Sequence, residues 1–129
     1  MTEKKHYFLV GGLKVHWDFK LLPTGFNSIT LFGHIYNVRS KEDLRSYLKT
    51  NSGKQTINHE RIHMLQAESF KFKYLTFYIL YIWYWFIGLF KHGCKNDESY
   101  NHIPFEREAY AHENDFEYNE THWKDYRNK

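Results

Sequence analysis

Two histidines stand four residues apart in the stretch His59-Glu60-Arg61-Ile62-His63, with a glutamate directly after the first. On an α-helix, side chains four apart project from one face, so both imidazoles can reach a single cation at about 2.0–2.1 Å. Nitrogen donors in that arrangement suit zinc. Glu60 is not spaced to be a ligand. Its expected place is beyond the ion, where its carboxyl takes a proton from water that zinc acidifies and passes it to a leaving amine. The same five residues also arise on an ordinary helix with two surface histidines. A third protein ligand, with one position left open, is what turns the pattern into a catalytic centre.

That third ligand must be an oxygen or nitrogen donor. Cys94 is the one cysteine among 129 residues, so neither an internal disulfide nor a thiolate site can form within the chain. The candidates are Glu106 and Glu108, in the stretch Ile103-Pro104-Phe105-Glu106-Arg107-Glu108-Ala109-Tyr110. Pro104 suits the first turn of a helix, where its missing N–H costs nothing. Both glutamates then lie near a helix N-terminus, a position the dipole favours for a carboxylate whether or not it binds a metal. Helical geometry leaves the choice open, because the two flank the apolar face of Phe105, Ala109 and Phe116 at similar angles. Donors that could stabilise a developing oxyanion are His102, Tyr110 and His112 near the third ligand, and His34 and Tyr36 on a strand.

The order His-Glu-x-x-His, a long apolar segment, then Glu-x-x-Ala opening a helix resembles the gluzincin metallopeptidases. Among them it is similar in layout to the membrane-associated CAAX prenyl protease and beta-lactam sensor types, and to small uncharacterised bacterial zincin-like proteins. The resemblance spans roughly residues 56–117. It implies zinc held by His59, His63 and Glu106, with Glu60 as catalytic base and Glu108 as the fallback ligand. Those membrane peptidases usually carry an aspartate directly after the alanine, which orients a ligating histidine. This chain has Tyr110 there, a departure that puts turnover in question.

The elements that must position these groups can be read from pattern. Residues 6–21 read as two short strands turned at Gly11-Gly12, and Pro23-Thr24-Gly25 as a further turn. Residues 28–38 alternate like one strand, with Ile29, Leu31 and Ile35 on one face, Thr30, Phe32, His34 and Tyr36 on the other, and Gly33 as a bulge. That strand is a candidate to pair with an extended substrate. Ser40-x-x-Asp43 predicts a short helix over 41–49, ended by Asn51-Ser52-Gly53. The zinc helix is expected from about Thr56 to at least Phe70, with His59, His63, Gln66 and Phe70 on one stripe. The final helix is expected to run to about Asn119, with Phe105, Ala109, Phe116 and, if it continues, Trp123 on one face; the last residues should fray. The fold class is therefore α+β. One zincin-like domain over 1–129 is expected, a small N-terminal antiparallel sheet in a β-rich part, 1–55, preceding three main helices in a metal-site part, 56–129.

The chain is nearly balanced in charge at +3, with its basic residues scattered, which argues against nucleic acid as a partner. Aromatic residues reach 20 %, a composition suited to half-wet surfaces such as a membrane interface. From Tyr74 to Phe90 no residue is charged; Lys71 and Lys73 precede the segment and Lys91 and Lys95 follow it. A single membrane crossing there would leave the histidines and Glu106 on opposite sides, so the zinc reading requires a core helix, one in the membrane interface, or packing between copies. The apolar run Phe8–Leu13 is broken by glycines and too short for a signal peptide, so a cytoplasmic or inner-membrane-surface location is expected. These features predict a zinc-dependent peptidase acting on peptide or protein at or near a membrane, with a homo-oligomer as one route to substrate walls. The competing expectation is a membrane-associated interaction protein whose zinc site is structural or inactive.

Overall fold

In a computed structural model the described residues are 2–3, 6–22, 27–91 and 102–127. The expected turn at Pro23-Thr24-Gly25, Cys94, Lys95 and the final two residues lie outside them. The architecture is α+β, and the chain divides into two compact units, Met1–Arg61 and Ile62–Lys129.

In the first unit, Gly11 and Gly12 both take positive φ, which closes a two-residue turn between β2 (Tyr7–Val10) and β3 (Leu13–His16). A short β1 (Thr2–Glu3) adds to β2. Residues 28–38 are not one strand. They form a hairpin of β4 (Ser28–Leu31) and β5 (His34–Asn37), because Phe32 as well as Gly33 adopts positive φ. A bulky residue rarely does so, and no turn dipeptide announces it. The register pairs Ile29 with Tyr36 and Leu31 with His34, so Ile29 and Leu31 share the exposed face with those two side chains, while Ile35 is buried on the other. The strand order is β1-β2-β3-β5-β4, with β3 and β5 parallel. The sheet is thus mixed rather than purely antiparallel, because the hairpin inserts its second strand beside β3 and leaves β4 at the edge. Phe8, Leu13, Val15 and Ile35 from the sheet are buried, as are Leu44 and Leu48 of α1 (Lys41–Leu48). Ser40 caps α1 by accepting the Asp43 N–H at 3.2 Å.

Asn51-Ser52-Gly53 does not end a helix but begins one. Helix α2 runs from Asn51 to Glu68, earlier than its pattern suggested. Thr50 supplies the cap, its Oγ1 accepting the Gly53 N–H at 3.0 Å. Gly53 lets α2 start directly beside the end of α1: a Cβ there would lie 2.1 Å from the Tyr47 carbonyl oxygen. The unit boundary, between Arg61 and Ile62, falls inside this continuous helix.

The second unit holds the rest of α2, α3 (Tyr74–Lys91), α4 (Pro104–His112) and a single 3-10 turn, Trp123–Tyr126. Its core is Ala67, Phe77, Ile103, Phe105 and Trp123, with Tyr81 and Tyr84 packed against it. Helix α4 stops at His112, well short of Asn119, and Phe116 is 57 % exposed. The cause lies in Glu108, whose carboxylate gathers donors from residues 118–122 and draws the chain back along α4. Trp123 still reaches the core, but on the 3-10 turn rather than on an extension of the helix.

Candidate metal centre

Helix α2 places His59 and His63 one turn apart, and α4 supplies Glu106. One ligand atom from each of these three residues lies within 4.8 Å of the other two, and among the described residues this is the one such group. These side chains form a cluster that could hold a metal ion. His63 Nε2 and Glu106 Oε1 are 3.1 Å apart. Two ligands of a tetrahedral ion with bonds near 2.0–2.1 Å are separated by about 3.3 Å, so the pair has close to the spacing a zinc site needs. Two nitrogens and one carboxylate oxygen are also a donor set that zinc accepts.

The surroundings of His63 decide which of its nitrogens faces the cluster. Gln66, fully buried one turn on, donates through Nε2 to the Phe105 carbonyl at 2.9 Å and to Glu108 Oε1 at 2.7 Å. Both partners are acceptors, which fixes the amide orientation and leaves Gln66 Oε1 as an acceptor. It lies 2.8 Å from His63 Nδ1, so Nδ1 carries a proton and Nε2, the nitrogen facing Glu106, is the one available to a cation. The carboxylate is held from its other side: Tyr81 OH donates to Glu106 Oε2 at 2.5 Å. Phe77 flanks the His63 ring at 5.9 Å between centroids, so that imidazole stands beside an aromatic ring.

Glu108 is also fully buried, in a different role. It accepts from Gln66 Nε2, from Tyr118 OH at 2.6 Å, from Thr121 Oγ1 at 2.6 Å and from the His122 backbone N–H. Burial, then the bond to Glu108, pushes the Tyr118 phenol above its ordinary range, so it stays a donor. Glu108 is not among the clustered ligand atoms. It braces Gln66 from behind.

The other candidates are distributed as follows. Glu60 is half-buried on α2, directly after His59. Tyr110, where an orienting carboxylate was expected, is 51 % exposed on α4. His112 stacks on Tyr118 at 4.0 Å and pairs through Nε2 with Tyr126 OH at 2.8 Å, and His102 is half-buried just before α4. His34 and Tyr36 stack with His16 on the sheet, where His16 Nε2 and His34 Nδ1 are 2.9 Å apart. Gln66 and Tyr81 make hydrogen bonds to His63 and Glu106 of the kind that the resemblance gives to an aspartate after the alanine. Gln66 was visible in the sequence on the stripe of His59 and His63, though nothing there gave it this task. Tyr81 was one of eleven tyrosines, with no local signal to separate it from the others.

No protein-family model matches this chain, and neither a curated protein nor a solved structure does.

Proposed function

We propose that this protein is a zinc-dependent hydrolase of gluzincin type, a peptidase, with His59, His63 and Glu106 as the metal ligands and Glu60 as general base and acid. The observation that carries the reading is the pairing of His63 Nε2 with the buried Glu106 carboxylate at 3.1 Å, beside a second histidine one helical turn away. Zinc bound there would supply Lewis acidity toward a carbonyl oxygen and toward water. The chain's own residues supply the rest. Gln66 keeps the proton of His63 on Nδ1, Tyr81 holds the second oxygen of Glu106, and Phe77 excludes water from one side of the imidazole. Glu60 takes the proton of the attacking water and returns it to the leaving amine.

The experiment is metal analysis and peptide-library cleavage on wild type and Glu60→Gln. Stoichiometric zinc in both, with hydrolysis in wild type alone, is the expected result. Wild type that holds zinc and cleaves nothing across the library would sink the enzyme reading. That outcome favours the second one, a non-catalytic metal site in an interaction protein, which the exposed Tyr110 in place of an orienting carboxylate supports.

A further inference from the structure

Helix α3 has two faces of unlike character. Phe77 and Gly88 are buried, and Tyr81 and Tyr84 pack against the core of the second unit. On the other side stand Leu75, Ile79, Ile82, Trp83, Phe86 and Phe90, each half or more exposed. At 100° per residue these six fall within an arc of about 100°, a stripe about 22 Å long at 1.5 Å per residue. Every exposed position of α3 before Lys91 is apolar. A monomer in water rarely shows so continuous an apolar strip, so it has an occupant.

Charge identifies that occupant. Exposed Lys71 and Lys73 precede the stripe, exposed Lys91 ends it, and no acidic residue lies between Ser69 and Lys91. If a second copy covered the stripe, its helix would bring lysine against lysine in either direction: Lys71 and Lys73 beside Lys91 when antiparallel, each beside its equivalent when parallel. An anionic lipid surface meets the same pattern favourably. Lysine stems can run along the apolar strip while their ammonium groups reach phosphate, and the Trp83 indole is at home at headgroup depth. Among the described residues no helix is long and apolar enough to cross a membrane. We propose that α3 lies in the plane of an anionic membrane surface, its Leu75–Phe90 stripe in the acyl boundary and Lys71, Lys73 and Lys91 on the headgroups. The opposite side of that helix carries Tyr81, whose hydroxyl donates to Glu106, so the anchoring helix would also touch one of the proposed metal ligands. The proposal does not depend on turnover at that centre.

The test is flotation of the full chain with vesicles of phosphatidylcholine alone and of phosphatidylcholine mixed with phosphatidylserine, followed by tryptophan emission. Wild type is expected to float with the anionic vesicles and to shift its emission to the blue. A double variant, Ile82→Glu with Phe86→Glu, should lower that partition at least about tenfold. Lys71→Glu with Lys91→Glu should lower it at least about thirtyfold. All replaced side chains are exposed, so circular dichroism and metal content should match wild type in both variants. Wild type that stays in solution with both vesicle types overturns the proposal, as does a partition that survives the two glutamates. Equal binding to neutral vesicles overturns the anionic assignment. A dimer in sedimentation velocity that the glutamates dissolve, without vesicle binding, makes a second copy the occupant instead.

Discussion

The surroundings of Glu106 and those of Glu108 differ more than two residues of separation on one buried helix would suggest. Glu108 meets donors on every side: an amide, a phenol, a threonine hydroxyl and a backbone N–H. Glu106 meets a phenol on one oxygen, while the other faces an imidazole nitrogen whose partner nitrogen already holds the proton. A carboxylate enclosed by neutral donors is stable without further charge, and it knits the chain around it. One that faces an imidazole nitrogen can share a cation with it, either a proton or a metal. The first arrangement is structural and the second could hold a metal ion.

The largest effect should separate the two. Glu108→Ala takes this acceptor from Tyr118, Thr121 and the His122 N–H and leaves Gln66 Nε2 with the Phe105 carbonyl, at roughly 1–3 kcal/mol for each buried group that water does not reach. Several kcal/mol of unfolding free energy should be lost, read in urea denaturation of the metal-free protein, and residues 118–126 should become accessible to protease. Glu106→Ala should abolish stoichiometric metal while costing clearly less stability under the same metal-free conditions. Equal stability losses, or metal retained in Glu106→Ala, would erase the contrast.

Next in size is a variant that disconnects the two carboxylates. Gln66→Leu removes a side chain that bonds both His63 and Glu108, and with it the proton placement on Nδ1. Metal affinity should fall roughly 10–100-fold, as is typical when a ligand's hydrogen-bond partner is removed. Titration with zinc against a chromophoric chelator measures it. Tyr81→Phe should have the smaller effect of roughly tenfold, because Glu106 keeps its place on α4 and loses one donor. If Tyr81→Phe binds metal as wild type does, the phenol is packing rather than positioning.

How much of this could be read beforehand depended on how local the cause was. The helical face of His59 and His63, the turn at Gly11-Gly12 and the Ser40 cap each follow from a few adjacent residues, and each appears as the pattern implies. The Phe32–Gly33 hairpin did not show, because half of its turn is a phenylalanine in a conformation that favours glycine. The start of α2 did not show either. Asn51-Ser52-Gly53 has turn composition, yet Thr50 caps a helix there, and Gly53 is needed for its closeness to Tyr47. The early end of α4 and the choice between the two glutamates have one origin, since both rest on partners from residues 118–122 and from α2. No window on the final helix contains that information.

The smallest effect tests whether ionisation elsewhere can imitate metal-site chemistry. His16 on the sheet has its pKa lowered from the ordinary 6.5, first by burial and then by His34, Lys14 and His6. As pH falls through 6.5 the unfolded chain takes up this proton before the folded one, so the folded state is progressively disfavoured down to the lower folded pKa. Above 6.5 the contribution is fully present. His16 is partly solvated, so the loss should be under about 1 kcal/mol. It should be visible as a modest drop in the stability of metal-free protein and should flatten in His16→Gln. The comparison with the metal centre is then direct, because protons compete with metal at His59 and His63, and the acid sensitivity of metal affinity should survive His16→Gln unchanged. Should that substitution also remove the acid sensitivity of metal binding, the two histidine clusters are linked, and the distinction between a binding region and a structural one would have to be redrawn to include the sheet.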